Sequence, residues 1–288
     1  LLAAIIGKLT KNFVIKRFQG TPLQIIDGKI IFEKYLKNFI WSYTLGKYPI
    51  IMANDGTNGD IILEKLKIPK NNFYFALNGF VKEDLEFNEV NLRDTRIALL
   101  GKSSKKICML SKLKFWKRVD RGIDIFYELM KFQNSLERDK IFLLIIGDGE
   151  MKNFLQNKAN ELCINKNVIF LGEKTHSEAM QILSICDVFW TLNDVSNLGN
   201  PLLEAIYLEK PIFTIRDKTM EYIFGHDACN LISIESVNDI AKMTEILFIN
   251  ENFKKKLISL SQKAKNLLVP WKERINQEIE WIEKKLEN

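Results

Sequence analysis

Cysteine is scarce in this chain, and the four that occur, Cys108, Cys163, Cys186 and Cys229, include no CxxC pair. Such spacing argues against a structural zinc site and against a disulfide framework. Free thiols in a reducing, cytoplasmic compartment are expected instead. Histidine is scarcer still. His176 sits in a polar turn and His226 in a GHDAC loop, far apart and without a partner pattern, so both read as ordinary surface residues. The opening LLAAIIGKL is far shorter than the roughly 20 apolar residues of a membrane span, and it lacks the cleavage site of a secretory signal. It reads as the middle of a fold, so the chain is expected to be a fragment. An apolar and basic opening suits a membrane-facing side, and an interior helix explains it equally well.

What is present is ordinary globular composition, 47% apolar and 27% charged over 288 residues, enough for two domains. The net charge of +6 is modest, but eight basic residues against Asp120 alone fall between Lys102 and Arg121. A solvated face, a nucleic-acid patch and a phosphate site all fit such a cluster. No interleaved aromatics, RNA-binding signature or helix-turn-helix pattern accompanies it, so no nucleic-acid partner is expected.

From residue 107 onward short apolar runs alternate with helical patterns. ICML (107–110), IFLLII (141–146), VIFL (168–171), DVFWTL (187–192), PIFTI (211–215) and NLIS (230–233) read as strands. Their near-continuous apolarity suits a parallel sheet covered on both faces. Val119, Ile123, Phe126 and Met130 mark one helical face between them; Met151, Phe154, Leu155 and Ala159 mark another. The alternation predicts a doubly wound α/β domain with its ligand at the carboxyl ends of the strands. Before it, FVIKRF (13–18), IIMA (50–53) and FYFAL (73–77) read as strands and the stretch around Phe32 to Trp41 as a helix. The polar segment 88–106 is the linker candidate. After Pro270, a helix with a Trp271, Ile275, Ile279, Ile282, Leu286 stripe closes the chain.

Three strand ends carry polar chemistry. After ICML, Lys112 and Lys117 flank a short loop; two ammonium groups there could neutralise a leaving diphosphate, although a lysine pair near a helix is usually a surface pair. IIGDGEMKNF permits close backbone approach at a turn, but the third glycine of GxGxxG is missing. A polar strand–helix turn is preferred there over a metal-binding role for Asp148 and Glu150. In SNLGNPLLEAIYLEKPIF, Gly199 and Asn200 precede a helix opened by Pro201, whose first-turn N–H groups make an anion site. Glu204 beside it is either simple charge placement against the helix dipole or an acceptor for ribose hydroxyls. Trp116 and Trp190 read as packing residues.

The ordered series SKLKFWKRVDRGIDIF, FLLIIGDGEMKNFL, NVIFLG and SNLGNPLLEAIYLEKPIF resembles the donor domain of family 4 retaining glycosyltransferases of the GT-B fold. RFQGT, ANDGTNGD and IPKNNFYFALNGF resemble the second part of that family's acceptor domain, and WKERINQEIEWIEKKL its last helix. The resemblance implies an α/β GT-B architecture of two Rossmann-like doubly wound domains. Residues 1–103 would be the remainder of an incomplete acceptor domain, 104–268 the nucleotide-sugar donor domain, and 269–288 a helix packing back on the first.

Position by position, the resemblance puts Lys117 on the donor diphosphate and Lys112 where the family carries arginine. It puts Glu204 on the ribose, and Gly199, Asn200, Pro201 and Leu202 in the loop meeting phosphate and sugar. Lys174 and Thr175 fall at the nucleobase. Two positions depart from the pattern. Ser196, followed by Asn197, stands where a sugar-facing glutamate is expected, with Asp194 the nearest carboxylate. Gln19, before Gly20, stands where the acceptor side often has histidine. The implied activity is transfer of a sugar from a nucleoside diphosphate sugar to an acceptor hydroxyl, with retention and without metal or cofactor. The acceptor would be a glycan or lipid-linked molecule in cell-surface glycan or glycolipid synthesis, at the cytoplasmic side of the inner membrane with peripheral contact. Three other readings stay open: a sugar-nucleotide-binding subunit weakened in catalysis, a GT-B sugar-nucleotide epimerase and, most distantly, a nicotinamide-dependent oxidoreductase.

Overall fold

The computed structural model describes residues 9–10, 13–18, 24–26, 29–31, 48–57, 59, 63–64, 67–87, 97, 100–101, 103–133, 135–194, 197–215, 220–225, 233–234 and 236–287. Two compact units emerge, Leu1–Gly79 together with Val269–Asn288, and Phe80–Leu268. The expected helix at 32–41, the opening segment 1–8, Gln19, Gly20, Ser196, His226 and Cys229 lie outside the described residues.

The first unit contains strands β1 (Lys16–Phe18), β2 (Gln24–Ile26), β3 (Lys29–Ile31), β4 (Ile50–Asn54) and β5 (Phe73–Leu77). The order β1-β4-β5 is parallel, and β2 and β3 pair antiparallel. Every residue of β4 is buried, as befits a strand flanked on both sides. Ile50 and Met52 pack with Leu63 and Ile68. The terminal helix Trp271–Leu286 belongs to this unit and corrects the sequence expectation. Its stripe residues Ile275 and Ile279 are 46% and 45% exposed, while Arg274 and Glu278 are buried. The reason is a polar anchor. Arg274 Nε donates to Leu77 O at 2.8 Å, its guanidinium pairs with Glu278 at 2.8 Å, and Glu278 also takes Arg17 at 3.1 Å. Those partnered charges, with Tyr74 against Trp281 at 5.9 Å, set which face docks.

The second unit holds one six-stranded sheet of β6 (Lys105–Leu110), β7 (Ile141–Ile146), β8 (Val168–Gly172), β9 (Val188–Thr191), β10 (Ile212–Ile215) and β11 (Ser233–Ile234). All pairings are parallel in the order β8-β7-β6-β9-β10-β11. This is the doubly wound order of dinucleotide-binding sheets, with its reversal between β6 and β9. Five of the six strand readings coincide with strands to within two residues; of NLIS only Ser233 lies among the described residues. Helices α1 (Val119–Phe132), α2 (Lys152–Glu161), α3 (His176–Ser184) and α4 (Asn200–Tyr207) cover the strands, followed by α5 (Val237–Ile249) and α6 (Glu251–Lys265). The expected face of α1 is buried in full; on α2 Leu155 and Ala159 are buried, but Phe154 is exposed. Phe126, Trp190 and Phe213 are the largest side chains of this core, each contributing about 1.5–3 kcal/mol by burial.

The boundary expected at residue 103 falls at Gly79. Residues 80–87 are strapped to the second unit through side chains that composition does not reveal. The ring of Phe80 lies 4.7 Å from that of Tyr207, and Glu86 accepts the Tyr207 hydroxyl at 2.9 Å. Among the described residues, no helix is long and apolar enough to cross a membrane.

Candidate functional site

At the carboxyl ends of β6, β7 and β8, beside the start of α4, lies a cavity of about 680 Å³. Its walls include Ser111 and Lys112 after β6, Gly147 and Asp148 after β7, Lys174 after β8, and Glu204 on α4. The size suits a small-molecule ligand, and the reversal point of a doubly wound sheet is where such ligands bind.

The turn after β7 is built by close backbone approach. Gly147 has φ +129°, and a Cβ there would fall 2.0 Å from Ser111 O. The two loops are then stitched together: Ser111 N donates to Ile146 O at 3.1 Å, Leu113 N to Asp148 O at 3.0 Å, and Met151 N to Leu113 O at 3.0 Å. Lys112 is carried into the cavity wall by that stitching. Asp148 accepts from Lys152 at 2.6 Å and from Gly149 N at 2.7 Å, the contacts of a polar strand–helix turn.

The basic cluster is dispersed among local partners. Lys106 is buried, its ammonium donating to Gly101 O and Ser104 O at 3.1 and 3.0 Å, and burial pushes its pKa down. Lys117 is not among the cavity-lining residues; its ammonium stands 4.1 Å from the centre of the Trp116 ring. Arg118, in a left-handed conformation, bridges Asp120 at 3.1 Å and Asp194 at 3.2 Å, and Arg121 reaches Asp194 at 2.8 Å. Asp194, the carboxylate closest in sequence to the sugar-facing position, is therefore held by two guanidinium groups.

The loop before α4 differs in part from the expectation. Asn197 is buried and serves the loop itself: its Oδ1 accepts from Asn193 N at 3.0 Å and from the Thr191 hydroxyl at 3.3 Å, and its Nδ2 donates to Asn193 O at 2.9 Å. Gly199 is the N-cap of α4, Asn200 and Pro201 line the cavity, and Leu202 is core. As an anion site the first turn is poorer than its sequence implies. Pro201 has no N–H, and those of Leu202 and Leu203 turn back to Gly199 O at 3.0 and 3.4 Å. Thr175 likewise caps α3, accepting from Glu178 N at 3.3 Å while Glu178 accepts from Thr175 N at 3.1 Å.

His176 overturns its reading as an ordinary surface residue. Its Nδ1 lies 2.6 Å from Asp84 Oδ2 and its Nε2 lies 2.8 Å from Glu204 Oε1, on the cavity wall. Neither partner is near in sequence, so no spacing rule exposes the trio; the signal was the capped helix start that fixes where the imidazole points. Burial raises the Glu204 pKa, with His176 opposing. Burial alone would lower the His176 pKa, but hydrogen bonds to Glu204 and Asp84, with their charges, raise it. Both groups bind a proton more tightly in the folded chain than in the unfolded one. The His176 contribution to stability is thus fully present below its ordinary value of about 6.5 and lost as pH rises through the raised value, whereas that of Glu204 is full only below its ordinary value of about 4.5 and is lost as pH rises through its own raised value. We expect the urea midpoint to fall between about pH 6 and about pH 8.5, and His176→Gln to flatten that fall; identical slopes in the two proteins would refute the assignment.

A family model described as glycosyl transferases group 1 matches residues 93–266. The alpha-monoglucosyldiacylglycerol synthase of Streptococcus pneumoniae is 26% identical over 149 residues, which are 51% of this chain and 33% of that protein. The chain therefore spans about a third of this curated relative. The Anabaena HepE structure in complex with UDP and glucose superposes with a TM-score of 0.76 at 15% identity, covering 98% of this chain and 74% of that one. The pneumococcal O-GlcNAc transferase GtfA, in complex with UDP and GlcNAc, gives 0.71 at 15% identity, covering 99% and 55%. These structural likenesses establish the GT-B architecture, in which both units are Rossmann-like.

Proposed function

The chain belongs to the group 1 glycosyl transferases, and from that premise we propose that it moves a sugar from a nucleoside diphosphate sugar to an acceptor hydroxyl with retention of configuration. The carrying observation is one cavity, at the reversal point of the sheet, that joins a cation on one wall to a buried carboxylate on another. In this reading Lys112 neutralises the donor diphosphate, and the first turn of α4 adds its dipole. Glu204 accepts the ribose hydroxyls, and Lys174 and Thr175 flank the nucleobase. No metal or cofactor takes part. The departing phosphate oxygen takes the acceptor's proton, so no protein base is needed. UDP, the nucleotide bound in the HepE and GtfA complexes, heads the donor candidates. A lipid-linked or glycan acceptor, met at the cytoplasmic membrane face, is supported by the lipid-directed name of the pneumococcal relative.

Ligand-observed NMR with UDP-, GDP- and ADP-sugars tests the donor assignment. Binding by none, with the fold intact, would sink it. Lys112→Ala is expected to weaken donor binding roughly 10- to 150-fold, the loss of about 1.5–3 kcal/mol from one charge-assisted contact.

One observation favours a second reading, a binding subunit weakened in catalysis. Arg118 and Arg121 already hold Asp194. Donor binding with neither hydrolysis nor transfer would support that reading; any sugar-transfer product would support the enzyme.

A further inference from the structure

We propose that His176 is a positioning residue for the donor ribose: anchored on Asp84, its imidazole holds one oxygen of Glu204 and presents the other to the ribose hydroxyls. The inference rests on the ribose role given to Glu204 above. The distances of 2.6 Å to Asp84 Oδ2 and 2.8 Å to Glu204 Oε1 set His176 in line between two carboxylates. Both ring nitrogens can donate at once only in the imidazolium. The alternative arrangement, a neutral imidazole with a protonated Glu204, carries the same total charge, so the trio retains one proton that moves between His176 and Glu204.

Each end of the trio is fixed by separate packing. The Thr175–Glu178 capping box locks the first turn of α3, on which His176 is the first residue. Asp84 is held by its own segment, where Leu85 is buried, Phe80 packs on Tyr207 and Glu86 takes the Tyr207 hydroxyl. Val81 of that segment lines the same cavity as His176 and Glu204. The other charged groups on the wall are Lys112, Asp148, Glu173 and Lys174.

Holding Glu204 Oε1 has a chemical consequence. A buried carboxylate without a cation protonates and becomes a weaker acceptor. With His176 protonated beside it, Glu204 stays charged and its second oxygen keeps a single orientation. When His176 loses its proton, only one ring nitrogen can still donate, so a lone pair faces one of the two carboxylates and the hold on the pair Asp84–Glu204 is broken at one end. Ribose recognition should therefore weaken on the alkaline side, as pH passes through the raised His176 value.

The test uses the full 288-residue chain, with UDP and 2′-deoxy-UDP as calorimetric probes from about pH 5.5 to about pH 8.5. The expected result is a preference for UDP of roughly tenfold that declines on the alkaline limb. His176→Leu should lose both the preference and its pH dependence. His176→Gln, which keeps an amide donor, should recover part of the preference with a flat profile, and Asp84→Asn should move the alkaline limb to lower pH. Wild-type preference and profile in all three variants would overturn the inference. If at the same time Glu204→Ala abolishes the preference, the ribose reading survives and only the role of His176 falls. If the native chain does not prefer UDP to its 2′-deoxy form, both fall together.

Discussion

Glu204→Ala should weaken binding of the donor nucleotide by roughly 10- to 150-fold, and above the raised His176 value it should leave the chain about as stable as before. The affinity loss follows from removing a charged acceptor, whose hydrogen bonds are worth about 1.5–3 kcal/mol. The unchanged alkaline stability follows from the environment, since at that pH the pairing with His176 no longer contributes. Glu204 is 4% exposed, and burial pushes its pKa up, so the folded state gains little by holding this carboxylate ionised. A residue kept against its own solvation is more readily explained by ligand recognition than by folding. Glu204→Gln preserves the shape and can still accept from His176, so it should lose less, about five- to tenfold. Calorimetry for binding and urea titration for stability check the two halves together. A large drop in stability with unchanged binding would reassign Glu204 to structure.

Gly147→Val should destabilise the second unit by about 2–5 kcal/mol and lower its melting temperature by roughly 5–15 °C. The backbone there has φ +129°, which side chains rarely adopt, and the added Cβ would lie 2.0 Å from Ser111 O. That neighbour is backbone, so no rotamer change relieves the clash. Because Ser111 precedes Lys112, the displacement reaches the cavity wall, and donor binding should weaken with stability. Gly172 is the internal control. Its φ is +73°, but nothing lies within 4 Å of a built Cβ. Gly172→Ala should therefore cost only the left-handed penalty of about 1–2 kcal/mol. Equal losses at the two positions would mean that conformation, and not the close approach to the β6 loop, governs Gly147.

Much of the second unit could be read without coordinates. IFLLII and DVFWTL are apolar over their whole length because their strands are covered on both faces, and strand–helix alternation implies the crossover topology. Gly147 was legible for a similar reason, since GDG at a strand end marks close approach. The terminal helix was read correctly as a helix but assigned the wrong face. Apolar periodicity assumes that the apolar stripe is the one that docks. Here Arg274 pairs with Glu278 and donates to Leu77 O, and those contacts outweigh Ile275 and Ile279.

The histidines mark where reading from sequence ends. Their scarcity was visible at once and argued against chemistry, since a lone histidine in a polar turn is usually a surface residue. Tertiary structure reversed this for His176, because Asp84 is 92 residues before it and Glu204 is 28 residues after it. Local propensity, apolar period and the Thr175 cap are properties of neighbouring residues, and the chain alone determines them. Which carboxylates converge on one imidazole, which lysine reaches the cavity and which carboxylate two arginines hold depend on how distant strand ends meet. Only the folded sheet decides those.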